Sequence, residues 1–392
     1  MTWSRCLVTV FFMLAMASCG GGSSTSSVSL EGVDEAVETF RSQCSGLAQA
    51  EVPGAVAAVS AWERSPMLVA SGLANLGAGR EMTKNDLFHA GSITKTFTAA
   101  WIMQLDQEGT LSIDDNISTY LAFPRGNEIT LRQLLAHTSG ITAFTSMTEF
   151  AAWFEEYPYP APVEVLEFMR QHPRQSFEPG EGYEYSNSNY YLLGLIGEIA
   201  TGRPWHEAIR SRFLDPYELG STYIYGLEQG PSSEVQGYTA CPEPYCRPAK
   251  FMAIGDDAGF RLAWAAGGIV STPKDLTRWM RALVAGPVLD EAGRREMQTV
   301  TAQSVAAMET QEEYSAFNEG VGLGLFQYAT PEAGHGWGHE GQIGGFGNVA
   351  AYFPELATGL ALSANEVSAD VNKGLRLLVS ALVPPEINSA GE

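Results

Sequence analysis

Residues 88–98 read Phe88-His89-Ala90-Gly91-Ser92-Ile93-Thr94-Lys95-Thr96-Phe97-Thr98. A serine and a lysine stand three positions apart at the head of an apolar run. Ile93, Phe97, Trp101, Ile102 and Leu105 recur at helical spacing, and Gly109 ends the pattern. The spacing predicts a buried helix over Ser92–Gln107. Positions i and i+3 of a helix share a face, so the Ser92 hydroxyl and the Lys95 amine can meet. A serine hydroxyl is a poor nucleophile until a neighbour takes its proton. An ammonium group cannot take it, so Lys95 has to be neutral. Lowering a lysine from about 10.4 to about 7 costs roughly 4–5 kcal/mol at about 1.36 per unit. Burial and the positive end of the helix dipole both push that way. Alone, Ser-x-x-Lys is a weak signal that chance supplies often.

Working outward, two strand patterns precede this segment, Gly54–Trp62 and Met67–Asn75. Glu63-Arg64-Ser65-Pro66 joins them as a hairpin. Before them, Val33, Val37, Phe40, Cys44 and Leu47 share one helical face, which makes Cys44 a buried small hydrophobe. From residue 110 to about 290 the patterns are mostly helical, among them Leu131–His137, Val163–Arg170, Asn189–Ala200 and Pro273–Val284. Strand patterns return at Val321–Tyr328, Gly345–Phe353 and Thr358–Asn365, and a helix over Ala369–Leu382 closes the chain. Strands at both ends with helices between predict an α+β fold. Its antiparallel sheet is built from both chain ends and flanked by helices, with an inserted, mostly helical domain. The folded unit is expected over 30–385, with the sheet part near 30–95 and 300–385 and the helical part near 96–299. The cleft between them is the natural site.

Composition narrows the class. The 392 residues carry 23 Lys+Arg against 45 Asp+Glu, a formal net charge of −22. That excess opposes nucleic acid as a partner and opposes electrostatic attachment to anionic lipid. Hydrophobic residues make up 45% and charged residues 17%, which excludes disorder as the default. The first residues read as an export signal. Arg5 precedes a short apolar run, Cys6 to Ala17, about half of what spans a bilayer. Leu14-Ala15-Met16-Ala17-Ser18-Cys19 follows, then a Gly/Ser-rich stretch from Gly20 to Ser27. Small residues before a cysteine resemble a bacterial lipobox, with Met16 where that pattern prefers Leu. The expectation is a signal peptide over 1–18, a lipid on Cys19 and a tether over 19–29. The alternative is an ordinary signal peptide with an incidental cysteine. Cys241-Pro-Glu-Pro-Tyr-Cys246 is a Pro-rich loop, and in an exported chain that spacing suggests a local disulfide. A zinc pair is the alternative, but no second pair exists to complete four ligands.

Two further elements carry chemistry. Phe177-Glu178-Pro179-Gly180-Glu181-Gly182-Tyr183-Glu184-Tyr185-Ser186-Asn187 ends in Tyr-x-Asn just before an apolar helix. A phenol can shuttle a proton, and an amide can hold a lysine or a substrate amide. Gly336-Trp337-Gly338-His339-Glu340-Gly341-Gln342 lies on a strand pattern and sets an imidazole two residues before a glycine. Neither His339-Glu340 nor His206-Glu207 is a zinc helix motif, because Ile343 and Arg210 stand where the second histidine belongs. No metal or other cofactor is expected. No Gly-x-Ser-x-Gly elbow exists, so that hydrolase architecture is not available.

In this order, Ser92-x-x-Lys95, Tyr185-x-Asn187 and His339-x-Gly341 resemble the three signatures of the serine β-lactamase and penicillin-binding protein superfamily. The nearest branch is the class C β-lactamase-related group of D-amino-acid-active peptidases and esterases. Flanking segments agree: Leu134-Leu135-Ala136-His137-Thr138-Ser139-Gly140-Ile141, Phe177 to Gly194, and Ala266-Gly267-Gly268-Ile269-Val270-Ser271-Thr272. The resemblance implies that Ser92 is acylated, that Lys95 and Tyr185 move protons, and that Asn187 orients them. It places His339 where many relatives carry Lys. It makes the backbone N–H groups of Ser92 and Gln342 an oxyanion hole, worth roughly 3 kcal/mol each by analogy with measured donors. One departure is Glu340, where relatives that process peptidoglycan or β-lactams often carry Ser or Thr. On a strand Glu340 points away from His339 and Gly341, which predicts a solvent-facing side chain. The expected function is a lipid-anchored serine hydrolase of the bacterial envelope, facing the periplasm and sorted to the outer membrane. Its substrate is an ester, an amide or a D-amino-acid peptide. A true β-lactamase or DD-carboxypeptidase is the alternative, and an inactive relative that binds cell-wall peptide or a partner is the second.

Overall fold

The two ends of the chain meet in the middle of one sheet. β1 (Gly54–Ala61) pairs antiparallel with β13 (Thr358–Ala364), from Ala55 opposite Ala364 to Ala61 opposite Thr358. The structure, a computed structural model, describes residues 30–46, 50–61, 65–231, 235–241, 251–254, 257–310 and 317–383. β1 also pairs with β2 (Met67–Asn75), and β2 with β3 (Arg80–Glu81). On the other side of β13 come β12 (Phe346–Phe353), β11 (Gly334–Ile343), β10 (Phe326–Thr330) and β9 (Asn318–Val321). The antiparallel sheet from both ends is therefore the observed architecture.

All of β12 and β13 is buried, because helices cover both faces. Successive side chains alternate between the faces. Val349, Ala351, Leu360 and Leu362 join one core with Val33, Val37 and Phe40 of the helix Leu30–Gln43 and with Leu375, Leu378 and Val379 of the helix Val371–Leu382. Ala350, Tyr352 and Ala361 join the other core with Leu276, Trp279 and Met280. Burial on both faces explains why these strands read as nearly continuous apolar runs. Cys44 lies in the first core as a buried free thiol.

The region expected to be helical also contributes strands to two small sheets. β4 (Phe88–His89), β5 (Tyr223–Ile224) and β8 (Ile269–Ser271) form one, and β6 (Gly237–Ala240) pairs with β7 (Phe251–Ile254). The helix Pro273–Val284, assigned by sequence order to the helical part, packs on β1, β12 and β13. It ties the two parts together: Trp279 stacks on Phe97 at 3.9 Å, and its indole N–H donates to the Thr96 hydroxyl at 2.8 Å. The strand expected over Val321–Tyr328 is two strands. Gly324, at a φ of +84°, turns the chain between β9 and β10, a backbone state that glycine adopts without strain. Residues 1–29, with Cys19, lie outside the described residues, as does Cys246. Cys241 is disulfide-bonded.

Candidate active site

Ser92 does not begin an α-helix. It sits in a 3-10 turn, Gly91–Ile93, that feeds the α-helix Thr94–Gln107. That helix is the axis of its lobe: every residue from Thr94 to Met103 is buried. Ser92 is only partly covered and lies at a cleft of about 630 Å³, whose wall includes Tyr185, Asn187, His339, Glu340, Gly341 and Gln342. A smaller apolar pocket of about 190 Å³ opens beside Ser92, against Phe144, Leu262, Ala263, Ala266 and Ile343.

Lys95, the second residue of that helix and three residues past Ser92, is fully buried. Its Nζ is 2.8 Å from Asn187 Oδ1, 2.8 Å from the Ala266 carbonyl oxygen and 3.0 Å from Ser92 Oγ. The Asn187 amide is oriented in turn, because its Nδ2 donates to Thr145 Oγ1 at 3.1 Å. Burial pushes the Lys95 amine well below its ordinary 10.5. The partner set then fixes where the lone pair points. The Ala266 carbonyl and Asn187 Oδ1 only accept, so a neutral amine spends its two protons on them. Its lone pair is left facing the Ser92 hydroxyl, which can donate.

Tyr185 lies alongside the same amine, with Nζ 4.9 Å from its ring centroid. Its ring also neighbours Phe326 at 6.4 Å and His339 at 6.1 Å. His339, on β11, is buried, and its Nδ1–H donates to the backbone carbonyl of Glu340. Burial and the nearby Lys95 push His339 down to about 3, so it is a neutral imidazole at physiological pH.

Glu340 does point away from His339 and Gly341, but it is not solvent-facing. It is half-buried behind β11, where Asn318 Nδ2 donates to it at 3.2 Å and Asn372 makes a second side-chain hydrogen bond. Burial raises its carboxyl above the usual range.

Gly341 and Gln342 lie against the serine turn. A Cβ on Gly341 would stand 3.1 Å from the Ser92 nitrogen, and one on Gly91 3.0 Å from the Gln342 nitrogen. The two amides proposed as oxyanion donors therefore share one neighbourhood. Asn348, fully buried on β12 opposite Gly341, secures the arrangement. Its Nδ2 donates to the carbonyls of His89 at 2.9 Å and Gly341 at 3.2 Å. The Gly341 carbonyl and the Gln342 N–H belong to one planar peptide, so holding the first orients the second.

The structure thus gathers Ser92, Lys95, Tyr185, Asn187, His339, Gly341 and Gln342 in one place. Sequence reading missed Asn348, Thr145 and the Ala266 carbonyl. Their partners are distant in the chain, and only the pairing of β11 with β12 could have marked Asn348. Among the described residues, no group of three or more His, Cys, Asp or Glu side chains converges to hold a metal ion.

A family model described as Beta-lactamase matches residues 33–382. A penicillin-binding protein of Bacillus subtilis (strain 168) is 27% identical over 230 residues, covering 57% of this chain and 50% of the relative, so the match spans about half of that protein's length. The D-stereospecific amidohydrolase of a Streptomyces species superposes with a TM-score of 0.73 at 30% identity, over 89% of this chain and 98% of that one. The D-amino acid amidase of Ochrobactrum anthropi SV3, in complex with D-phenylalanine, gives a TM-score of 0.75 at 26% identity, over 90% and 98% of the two chains.

Proposed function

This chain belongs to the Beta-lactamase family, and from that footing we propose that it is a class C-like serine hydrolase acylated at Ser92. The observation that carries the reading is the lysine between two obligate acceptors with its remaining valence toward Ser92 Oγ at 3.0 Å. In this reading neutral Lys95 takes the hydroxyl proton as Ser92 attacks a carbonyl carbon. Tyr185, coupled to Lys95, returns a proton to the leaving group, and the two titrate as a pair. The Ser92 and Gln342 N–H groups hold the oxyanion, and Asn187 and His339 shape the wall around it. Water then hydrolyses the acyl-enzyme by the same steps in reverse.

For substrate we propose an amide or D-amino-acid peptide first and an ester second. The support is the two structural neighbours, a D-stereospecific amidohydrolase and a D-amino acid amidase, and a pocket beside Ser92 that suits an apolar group. Kinship to a penicillin-binding protein supports the second reading, a DD-carboxypeptidase or β-lactamase. The export signal over 1–18, the lipid on Cys19, the bacterial envelope as location and the Cys241–Cys246 pairing complete the proposal. Mass spectrometry of membrane-purified protein tests the lipid and the pairing. A fluorophosphonate probe tests the centre: it should add its mass to Ser92 and leave Ser92→Ala unlabelled. Labelling at another residue would overturn the assignment. A panel of D-amino-acid amides, D-Ala-D-Ala peptides, short-chain esters and nitrocefin ranks the substrates.

A further inference from the structure

We propose that His137 is the positioning residue that sets Tyr185 against Lys95, an inference that rests on reading Tyr185 as a proton-transfer group. His137 lies just beyond the helix Leu131–Leu135 and is buried. Its φ is +57°, a left-handed conformation that a non-glycine residue keeps only where its surroundings enforce it.

Three contacts converge from this one residue on Tyr185. The backbone carbonyl of His137 accepts the N–H of Glu184 at 3.1 Å. Its ring Nδ1 accepts the N–H of Ser186 at 3.0 Å. The residues on both sides of Tyr185 are thus held through their N–H groups by the backbone and the side chain of the same residue. Between these two anchors, the imidazole stacks on the Tyr185 ring, with centroids 4.4 Å apart and planes 29° apart. Backbone position and ring plane of Tyr185 are both set from His137.

The anchor is itself fixed. Asn189 Nδ2 also bonds Nδ1 at 3.1 Å, and Ser139 Oγ donates to Asn189 Oδ1 at 2.7 Å. With two N–H groups directed at it, Nδ1 is the acceptor nitrogen and carries no proton. The groups facing the ring are Tyr183, Tyr185, Tyr190 and Asn189, with Lys95 and His339 nearby, and none of them offers a negative charge to a protonated ring. Burial acts in the same direction, so the acceptor persists through the working pH range. Stacking of a neutral ring leaves the phenol free of a competing cation.

Proton transfer depends steeply on placement, and a displacement of about 1 Å can cost on the order of a hundredfold. The test is a double-mutant cycle on the full chain, reading p-nitrophenyl butyrate hydrolysis, with thermal melting as the control for folding. His137→Ala should lower kcat by roughly 10- to 100-fold with KM within about threefold, and should move the pH–kcat profile. His137→Asn keeps an acceptor and tolerates the left-handed backbone, so it should recover part of the loss. In a Tyr185→Phe background, His137→Ala should change kcat by less than about threefold, because the hydroxyl it positions is gone. A full loss that persists in that background, or a folded His137→Ala chain with wild-type kcat, overturns the proposal. If Tyr185→Phe alone keeps the wild-type rate, the reading of Tyr185 has failed instead. Should the alanine variant not fold, the same cycle with His137→Asn decides.

Discussion

The carbonyl oxygen of Ala90 lies 1.9 Å from the point that a Cβ on Gly341 would occupy. β11 can approach the serine turn so closely only because residue 341 has no side chain. Ala90 and Gly341 are both backbone at the contact, so neither can swing aside. Gly341→Ala should separate the Gln342 amide from the Ser92 amide and lower kcat by on the order of a hundredfold, the effect of losing one oxyanion donor. Overpacking should cost about 1–3 kcal/mol of stability. Steady-state kinetics beside denaturant unfolding checks both; unimpaired kcat would remove Gln342 from the proposed oxyanion hole.

Lys95 and Tyr185 should behave as one unit. Lys95→Ala and Tyr185→Phe are each expected to lower kcat by roughly 10²- to 10⁴-fold, the range for general acid–base groups. The double variant should fall little further than the worse single one. Losses that multiply in full would count against a shared proton path.

The pH dependence separates Lys95 from His339. With Lys95 held well below 10.5, kcat/KM should rise with pH along a limb that belongs to the Lys95–Tyr185 pair. His339 protonates only near about 3 and cannot produce that limb. His339→Asn should therefore lower the rate and leave the limb's midpoint in place. Stability follows from the same shift. An unfolded histidine takes up a proton near 6.5, and folded His339 does not until about 3. The unfolded state thus binds more protons across that window, and stability falls as pH drops from about 6.5. Wild type should lose more stability between pH 7 and 5 than His339→Asn does. Equal losses would mean that His339 is charged when folded.

Carboxylate-bearing substrates should be handled poorly. Glu184 lines the cleft, and among the described residues no Lys or Arg is part of its lining. A neutral His339 supplies no counter-charge. Two like charges about 6 Å apart at an effective dielectric of about 20 repel by roughly 2.8 kcal/mol before screening. Nitrocefin turnover should be slow beside that of neutral amides and esters, and should improve with added salt. Glu184→Gln should raise kcat/KM for nitrocefin by about tenfold and leave a neutral ester nearly unaffected. Nitrocefin turnover in the wild type that outpaces the neutral substrates would end this reading.

Much of the fold could be read from the chain because its signals are local. Apolar periodicity placed the helices near 94–107, 187–201, 273–284 and 371–382, and the apolar runs placed β12 and β13. Errors fell where one residue breaks a pattern. Gly324 splits a run of alternating residues into β9 and β10, and Gly91 tightens the start of the serine helix into a 3-10 turn. The small strands β4, β5 and β8 are two or three residues long, too short to leave a period.

The sequence by itself determined which groups could do chemistry: Ser92 and Lys95 share a helical face because three residues make nearly one turn, and Tyr185-x-Asn187 and His339-x-Gly341 mark the other two walls. Only the tertiary structure decided their states. Other parts of the chain bury Lys95, which pushes its amine well below its ordinary value, and they supply the Asn187 and Ala266 acceptors that orient it. Glu340 became a half-buried hydrogen-bonded carboxylate, where alternation alone predicted a solvent-facing one, because Asn318 and Asn372 pack behind β11. Local spacing specifies which side chains can touch, whereas burial and hydrogen-bond partners, which come from segments far apart in the chain, set what charge each one carries.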